Sequence, residues 1–268
     1  MNAYNVSVGS QSLADSLRFM GRVLTFRAQR EELLALNRRD LVIGLLITWL
    51  VGMGRYWDND RVEFLQKLGV GSVLYVFVLA TFLFCVLWPL RPRDWSWFSL
   101  LVFLTFTSPP GLVYAIPVQL IFPGEGLQTA NEINLGFLGL VSVWRVALFL
   151  FYLCRLGRLD LGTAAIGTAL PILLLIVVLT VLNLDRVVFR IMGGIDPAPV
   201  SPNDDIYLAM IMITMSSMVL IWPVLILYGV AIMKRNSKRF QKSASDVASG
   251  TDSTISESGI QMDGHERT

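Results

Sequence analysis

One arginine stands where an arginine is costly. Arg145 lies in the apolar run VSVWRVALF, well inside a segment long and hydrophobic enough to cross a bilayer. A guanidinium carries five N–H donors in a planar fork and accepts nothing. Its chemistry there is donation, to a backbone carbonyl, a hydroxyl, water or an anion. No aspartate or glutamate falls in the middle of any apolar run, and Glu125 and Glu132 belong to the outer surface. The partner must therefore be uncharged protein, water or a bound anion.

A second stretch offers such partners. LTFTSPPGLVYAIPVQLIFPGEG, Leu104 to Gly126, is apolar yet carries Pro109, Pro110, Pro117 and Pro123. Thr107-Ser108-Pro109-Pro110-Gly111 has the grammar of a helix start, a hydroxyl residue at the cap and proline in the first turn. Proline has no N–H, so Pro109 and Pro110 deprive the carbonyls of Thr105 and Phe106 of their usual donors. In lipid such carbonyls persist only where protein or water satisfies them. Two half-helices are expected, one ending near Thr107 and the next beginning at Pro109. Pro109–Pro110 and Arg145 fall near the midpoints of consecutive, antiparallel spans. A midplane polar cluster is therefore expected of Arg145 with Thr105, Thr107, Ser108, Pro109, Pro110 and Ser142, which Ser216 and Ser217 could join. Within it Arg145 either clamps the broken helix or presents its charge to an anionic ligand.

Other chemistry is thin. The sole histidine, His265, lies near the C-terminus, which removes serine–histidine hydrolysis and histidine-ligated metals. Cys85 and Cys154 sit in apolar segments and read as small buried hydrophobes rather than a disulfide. Asp196, Asp204 and Asp205 are scattered on a polar loop, not convergent as a divalent cation requires. Asp58, Asp60, Glu63, Asp94 and Asp160 read as ordinary loop charges. No metal, cofactor or nucleic acid is expected.

The elements that must position the arginine follow from composition. Hydrophobic residues are 54% of the 268 and charged residues 16%, against roughly 25% charged in soluble domains. The fold class is an all-α, polytopic membrane helix bundle of about six transmembrane helices: 41–57, 69–90, 97–122 (broken at Pro109-Pro110), 133–154, 162–184 and 206–233. Residues 1–40 form a lead in which Leu13, Leu17, Met20 and Leu24 oppose Arg18 and Arg22, as in an interfacial amphipathic helix. No cleavable signal pattern precedes the first span. Residues 41–233 form the membrane domain. Residues 234–268 are a basic juxtamembrane segment followed, from about Ser243, by a tail whose Ser, Asp and Gly content predicts disorder.

Fifteen lysines and arginines fall on connections of one side and five on the other. By the positive-inside bias both termini face the cytoplasm, in an inner or plasma membrane. Lys234, Arg235, Lys238, Arg239 and Lys242 would lie against anionic head groups, and a membrane-protein partner is the other expected contact. The three-plus-three division, with prolines in each third span, points weakly to an inverted repeat. The expected function is that of a non-enzymatic accessory, scaffold or trafficking/assembly factor. The alternative is a small transporter or channel for an anionic or lipid-like substrate using Arg145 and the broken helix.

Overall fold

The computed structural model describes residues 13–54, 68–113, 127–182 and 205–257. Every regular element among them is helical: α1 (Leu13–Leu24), α2 (Arg30–Leu34), α3 (Arg38–Gly54), α4 (Val70–Leu87), α5 (Trp97–Phe106), α6 (Leu127–Arg155), α7 (Leu161–Val181) and α8 (Asp205–Glu257). Single 3-10 turns follow α4 at Trp88–Leu90 and α5 at Pro109–Leu112. Four helical stretches are long and apolar enough to cross a membrane: Val70–Leu90, Gly136–Arg155, Leu161–Val181 and Met212–Ser237. α3 has 17 residues, and the apolar Trp97–Leu112 stretch is shorter still.

Helix ends follow local chemistry. Ser96 caps α5 by accepting from the Ser99 N–H at 3.1 Å, and the Ser99 hydroxyl accepts in return from the Ser96 N–H at 3.1 Å. The Asn37 side-chain oxygen receives the N–H groups of Arg39 and Asp40 at the start of α3, while the Asp40 carboxylate accepts the Asn37 N–H. Asp160 opens α7 by accepting the Thr163 N–H at 3.0 Å. α4 follows Gly69, whose φ of 68° is open to glycine at little cost. A Cβ on Gly69 would also meet the Trp49 carbonyl oxygen at 2.8 Å.

α5 is the axis of the bundle. Every residue from Ser99 to Ser108 is buried, so the helix is apolar all round, as one enclosed by protein must be. α3 and α4 pack on it, and α6 reaches the 3-10 turn beyond it. α6 also packs on α7, and α7 on α8 and α4. The core runs through Leu87, Leu90, Leu100, Leu101, Phe103, Phe106, Leu148, Tyr152, Leu153 and Leu156.

α3 approaches its neighbours through small residues spaced by four. A Cβ on Gly44 would meet the Thr105 Cβ at 2.7 Å and Phe106 Cδ1 at 3.1 Å; one on Gly52 would meet Ser72 Oγ at 2.6 Å. Thr48 lies between them. Small residues at this spacing let membrane helices approach closely.

α1 divides its apolar residues between two environments. Ser16, Phe19, Met20 and Val23 are buried, with the Phe19 ring edge-on to Phe106 at 5.8 Å. Leu13 and Leu17 face outward. Thus only Met20 of the four residues expected to lie on a leaflet is buried in the bundle. Its arginines are engaged locally, Arg18 with Asp15 at 3.9 Å and Arg22 with Glu32 at 2.6 Å. α8 runs past Ser243, where composition predicts disorder, to Glu257. Its internal proline is Pro223. α7 also carries an internal proline, Pro171, so prolines do not distinguish the third span of each half.

Candidate functional site: the proline-ended helix and Arg145

α5 ends where its donors run out. The Thr107 N–H still reaches back to Phe103 and Leu104 at 3.2 Å, but the next turn tightens. The Ser108 N–H closes on the Thr105 carbonyl at 3.1 Å, and the Gly111 N–H on the Ser108 carbonyl at 2.8 Å. In an α-helix Gly111 would have served Thr107. By turning to Ser108 it leaves the Thr107 carbonyl open, and Arg145 fills the vacancy: its Nε donates to Thr107 O at 2.9 Å.

The sequence pointed to carbonyls released by proline, those of Thr105 and Phe106. The carbonyl Arg145 takes belongs instead to Thr107, released by the switch from α- to 3-10 geometry. Thr105 O takes the Ser108 N–H instead, and the Thr48 hydroxyl, whose proton goes to Gly44 O, stands 3.5 Å away. Of the second half-helix expected from Pro109, residues Pro109–Leu112 form the 3-10 turn, while 114–122, Pro117 among them, lie outside the described residues.

The expected polar set separates into parts that meet and parts that do not. Thr107 supplies its carbonyl, while its hydroxyl donates to Leu104 O at 2.7 Å. The Thr105 hydroxyl donates to Val102 O at 2.7 Å. Ser108 pairs its hydroxyl with that of Thr48 at 2.8 Å. Ser142 is not drawn in: it is exposed and donates to Leu138 O on its own helix at 2.7 Å. Ser217 does the same with Ile213 O, and Ser216 is exposed. A hydroxyl on a helix finds its own i−4 carbonyl more cheaply than a distant guanidinium.

Thr48 is the member sequence reasoning missed. It is buried, donates to Gly44 O at 2.8 Å and faces both Ser108 and Thr105. The Gly44-Thr48-Gly52 spacing was the available signal. Two further polar links join the helices around the site. The Tyr152 hydroxyl meets that of Ser99 at 3.0 Å, with the Tyr152 ring stacked on Phe103 at 4.2 Å. Trp144, beside Arg145, donates its indole N–H to Leu24 O at the end of α1 at 3.1 Å.

Arg145 is partly buried. Among the described residues no carboxylate pairs with it, and the bond to Thr107 is its hydrogen bond there. Measured along α6, it lies ten residues, roughly 15 Å, before Arg155. Among the described residues no group of three or more histidine, cysteine or acidic side chains converges as a metal ligand set. No family model, characterised protein or solved structure matches the chain.

Proposed function

We propose that the chain is a six-span helical membrane protein with both termini cytoplasmic, acting as a scaffold or assembly factor, and that Arg145 is a structural clamp in it. The hydrogen bond from Arg145 Nε to the Thr107 carbonyl supports this reading. A mid-membrane arginine is tolerated when it meets backbone carbonyls or water. A proline-ended helix is tolerated when its open carbonyls find donors. Each of the two costs offsets the other, and the contact ties α6 to the bundle's central helix. The six-span reading adds α3 and the third span to the four long helices. The fifteen-to-five distribution of cations orients it.

A second reading is favoured by one specific observation. Arg145 engages its Nε, and its side chain is only partly buried, so the charge is open in part to an anionic group. In that reading the chain moves or holds an anionic, lipid-like substrate beside the end of α5.

Arg145→Gln separates the two. As a clamp, the variant loses membrane abundance and monodispersity, and Arg145→Lys restores them only in part, because lysine lacks the rigid fork. A Gln variant that folds normally yet abolishes anion flux in liposomes overturns the clamp. Affinity capture from native membranes tests the scaffold role: a stoichiometric protein partner supports it, and an isolated flux-competent protein opposes it. Topology is tested by single cysteines at Asp196 and Ser245 in a chain lacking Cys85 and Cys154. Labelling of both from one side refutes six spans with cytoplasmic termini.

A further inference from the structure

α8 runs on past the stretch that can cross a membrane. That stretch ends at Ser237, yet the helix continues to Glu257, a further 20 residues (238–257), or roughly 30 Å. Those residues include seven serines and threonines and Gly250, which are poor helix formers. A helix of that composition is held by what packs on it.

Within its spanning stretch α8 buries Ser217, Ile221, Tyr228 and Ala231, and its principal neighbour is α7. Val219, Ile226 and Met233 each stand two residues from one of these, about 200° round the helix, and are 70%, 68% and 73% exposed. They recur at intervals of seven, and the interval does not stop at Ser237. The next residues in the series are Phe240, Val247 and Thr254. Four residues on from Met233, Phe240 and Val247 come Ser237, Ala244 and Thr251. Together they make the three-four alternation of the a and d positions of a heptad.

The charges beyond Ser237 obey the same register. With Phe240 at d, Lys238 and Asp252 fall at b, Arg239 and Asp246 at c, and Lys242 at f, all away from the seam. Only Glu257, the last residue of the helix, falls at g. The other e and g positions hold Gln241, Ser243, Ala248, Gly250 and Ile255, all neutral. A lipid-facing pattern has no reason to persist in water, and a lone solvated helix has no reason to keep its charges off one side.

We propose that α8 pairs with α8 of a second copy of this chain as a parallel two-stranded coiled coil, which begins in the membrane and continues outside it. Two chains inserted the same way lie parallel and level, so their heptads meet in register in a closed two-fold pair. Neutral e and g positions neither repel an identical chain nor offer the complementary charges that select an unlike one. Ser237, Ala244 and Thr251 are small enough to let the two backbones approach closely. Only one element of the proposed topology is needed here, the passage of α8 through the membrane, and the Asp196 and Ser245 labelling tests that separately.

The test places single cysteines in the full-length chain lacking Cys85 and Cys154, reconstituted in liposomes at low protein density and oxidised. Phe240→Cys and Val247→Cys should form disulfide-linked dimers at least roughly fivefold faster than Lys242→Cys and Ser249→Cys, whose f positions point apart in such a coil. Photobleaching steps counted on the unmodified protein should show pairs. Phe240→Asp/Val247→Asp should raise the density needed for pairing by at least roughly tenfold, because like charges then meet across the seam. Lys242→Asp/Ser249→Asp, with its charges outside, should pair as wild type does. If the seam-charged variant does not fold, the cysteine pattern carries the test. Equal cross-linking at seam and outer positions overturns the proposal. So does a wild type that stays monomeric at every density, or a folded seam-charged variant that pairs as well as wild type.

Discussion

Gly44→Ala is the sharpest probe of how α3 meets the central helix. On backbone preference alone the change should stabilise a helix by about 1 kcal/mol, since alanine is the better helix former. The packing says otherwise. The added Cβ would lie 2.7 Å from the Thr105 Cβ and 3.1 Å from Phe106 Cδ1, and closer still to the Thr105 hydroxyl. None of these atoms can swing away. Thr105 and Phe106 are fully buried, and the Thr105 hydroxyl is bonded to Val102 O. Relief requires α3 and α5 to separate by about 1 Å, which strains the Thr48–Ser108 bond. Overpacking of this kind costs about 1–3 kcal/mol, and loss of the buried hydroxyl pair adds about 1 kcal/mol. Set against the propensity gain, a net destabilisation of about 1–3 kcal/mol is expected. Gly71→Ala in α4 and Gly139→Ala in α6 are internal controls, because nothing lies within 4 Å of the added carbon at either. They should be neutral or slightly stabilising. Reversible unfolding of the purified protein in mixed micelles, followed by tryptophan fluorescence, measures all three. A Gly44→Ala protein as stable as the controls refutes the close approach and the role assigned to α3.

The other expectations are smaller. Thr48→Val keeps the shape but leaves Ser108 without its hydroxyl partner, and should lower stability by about 1–2 kcal/mol in the same assay. Trp144→Phe removes the indole bond to Leu24 O; amide exchange across residues 13–24 should quicken while that of α6 holds, and unchanged exchange in α1 would sink the link. The Asp160 carboxyl is held below its ordinary value, mainly by the backbone N–H of Thr163 and then by its hydroxyl. A depressed carboxylate stabilises the fold at pH above the unfolded value of about 4 and loses that contribution as pH falls through the lower folded value. The stability gap between wild type and Asp160→Ala should therefore stay constant from pH 7 to 5 and narrow below pH 4. A gap that widens on acidification contradicts the cap.

Much of this arrangement was legible in residue order, and the failures have identifiable causes. Apolar run length located α4, α6, α7 and the membrane part of α8 to within a few residues, because burial in lipid imposes both composition and length. Pro109 and Pro110 marked the end of α5, since a missing N–H is a property of the residue itself. Adjacency of consecutive helices put Arg145 near Thr107, and the two do meet. Which carbonyl it would take did not follow, for that depends on the Gly111 N–H choosing Ser108 over Thr107, a matter of local geometry. Ser142 failed as a partner because its own helix offered a nearer acceptor. Thr48 went unnoticed because a threonine between two glycines reads as filler until its neighbours in space are known. The docking of α1 through Phe19 and Val23 was likewise hidden: an amphipathic pattern says that one face is apolar, and lipid and protein satisfy that face equally well.

The shortness of α5 bears on how the chain is made. Ten helical residues span roughly 15 Å, half the hydrocarbon thickness, so this segment is a poor passenger for insertion by itself. Its open carbonyl at Thr107 waits for a donor that lies 38 residues later in the chain. At ~5–20 residues per second of synthesis, that interval is roughly 2–8 s. For those seconds the nascent bundle's central helix depends on α3 and α4, already delivered, and on whatever water or chaperone attends it. Arg145 is then the residue whose arrival satisfies that carbonyl, ahead of the core side chains of α6 and α7 that follow it in the chain.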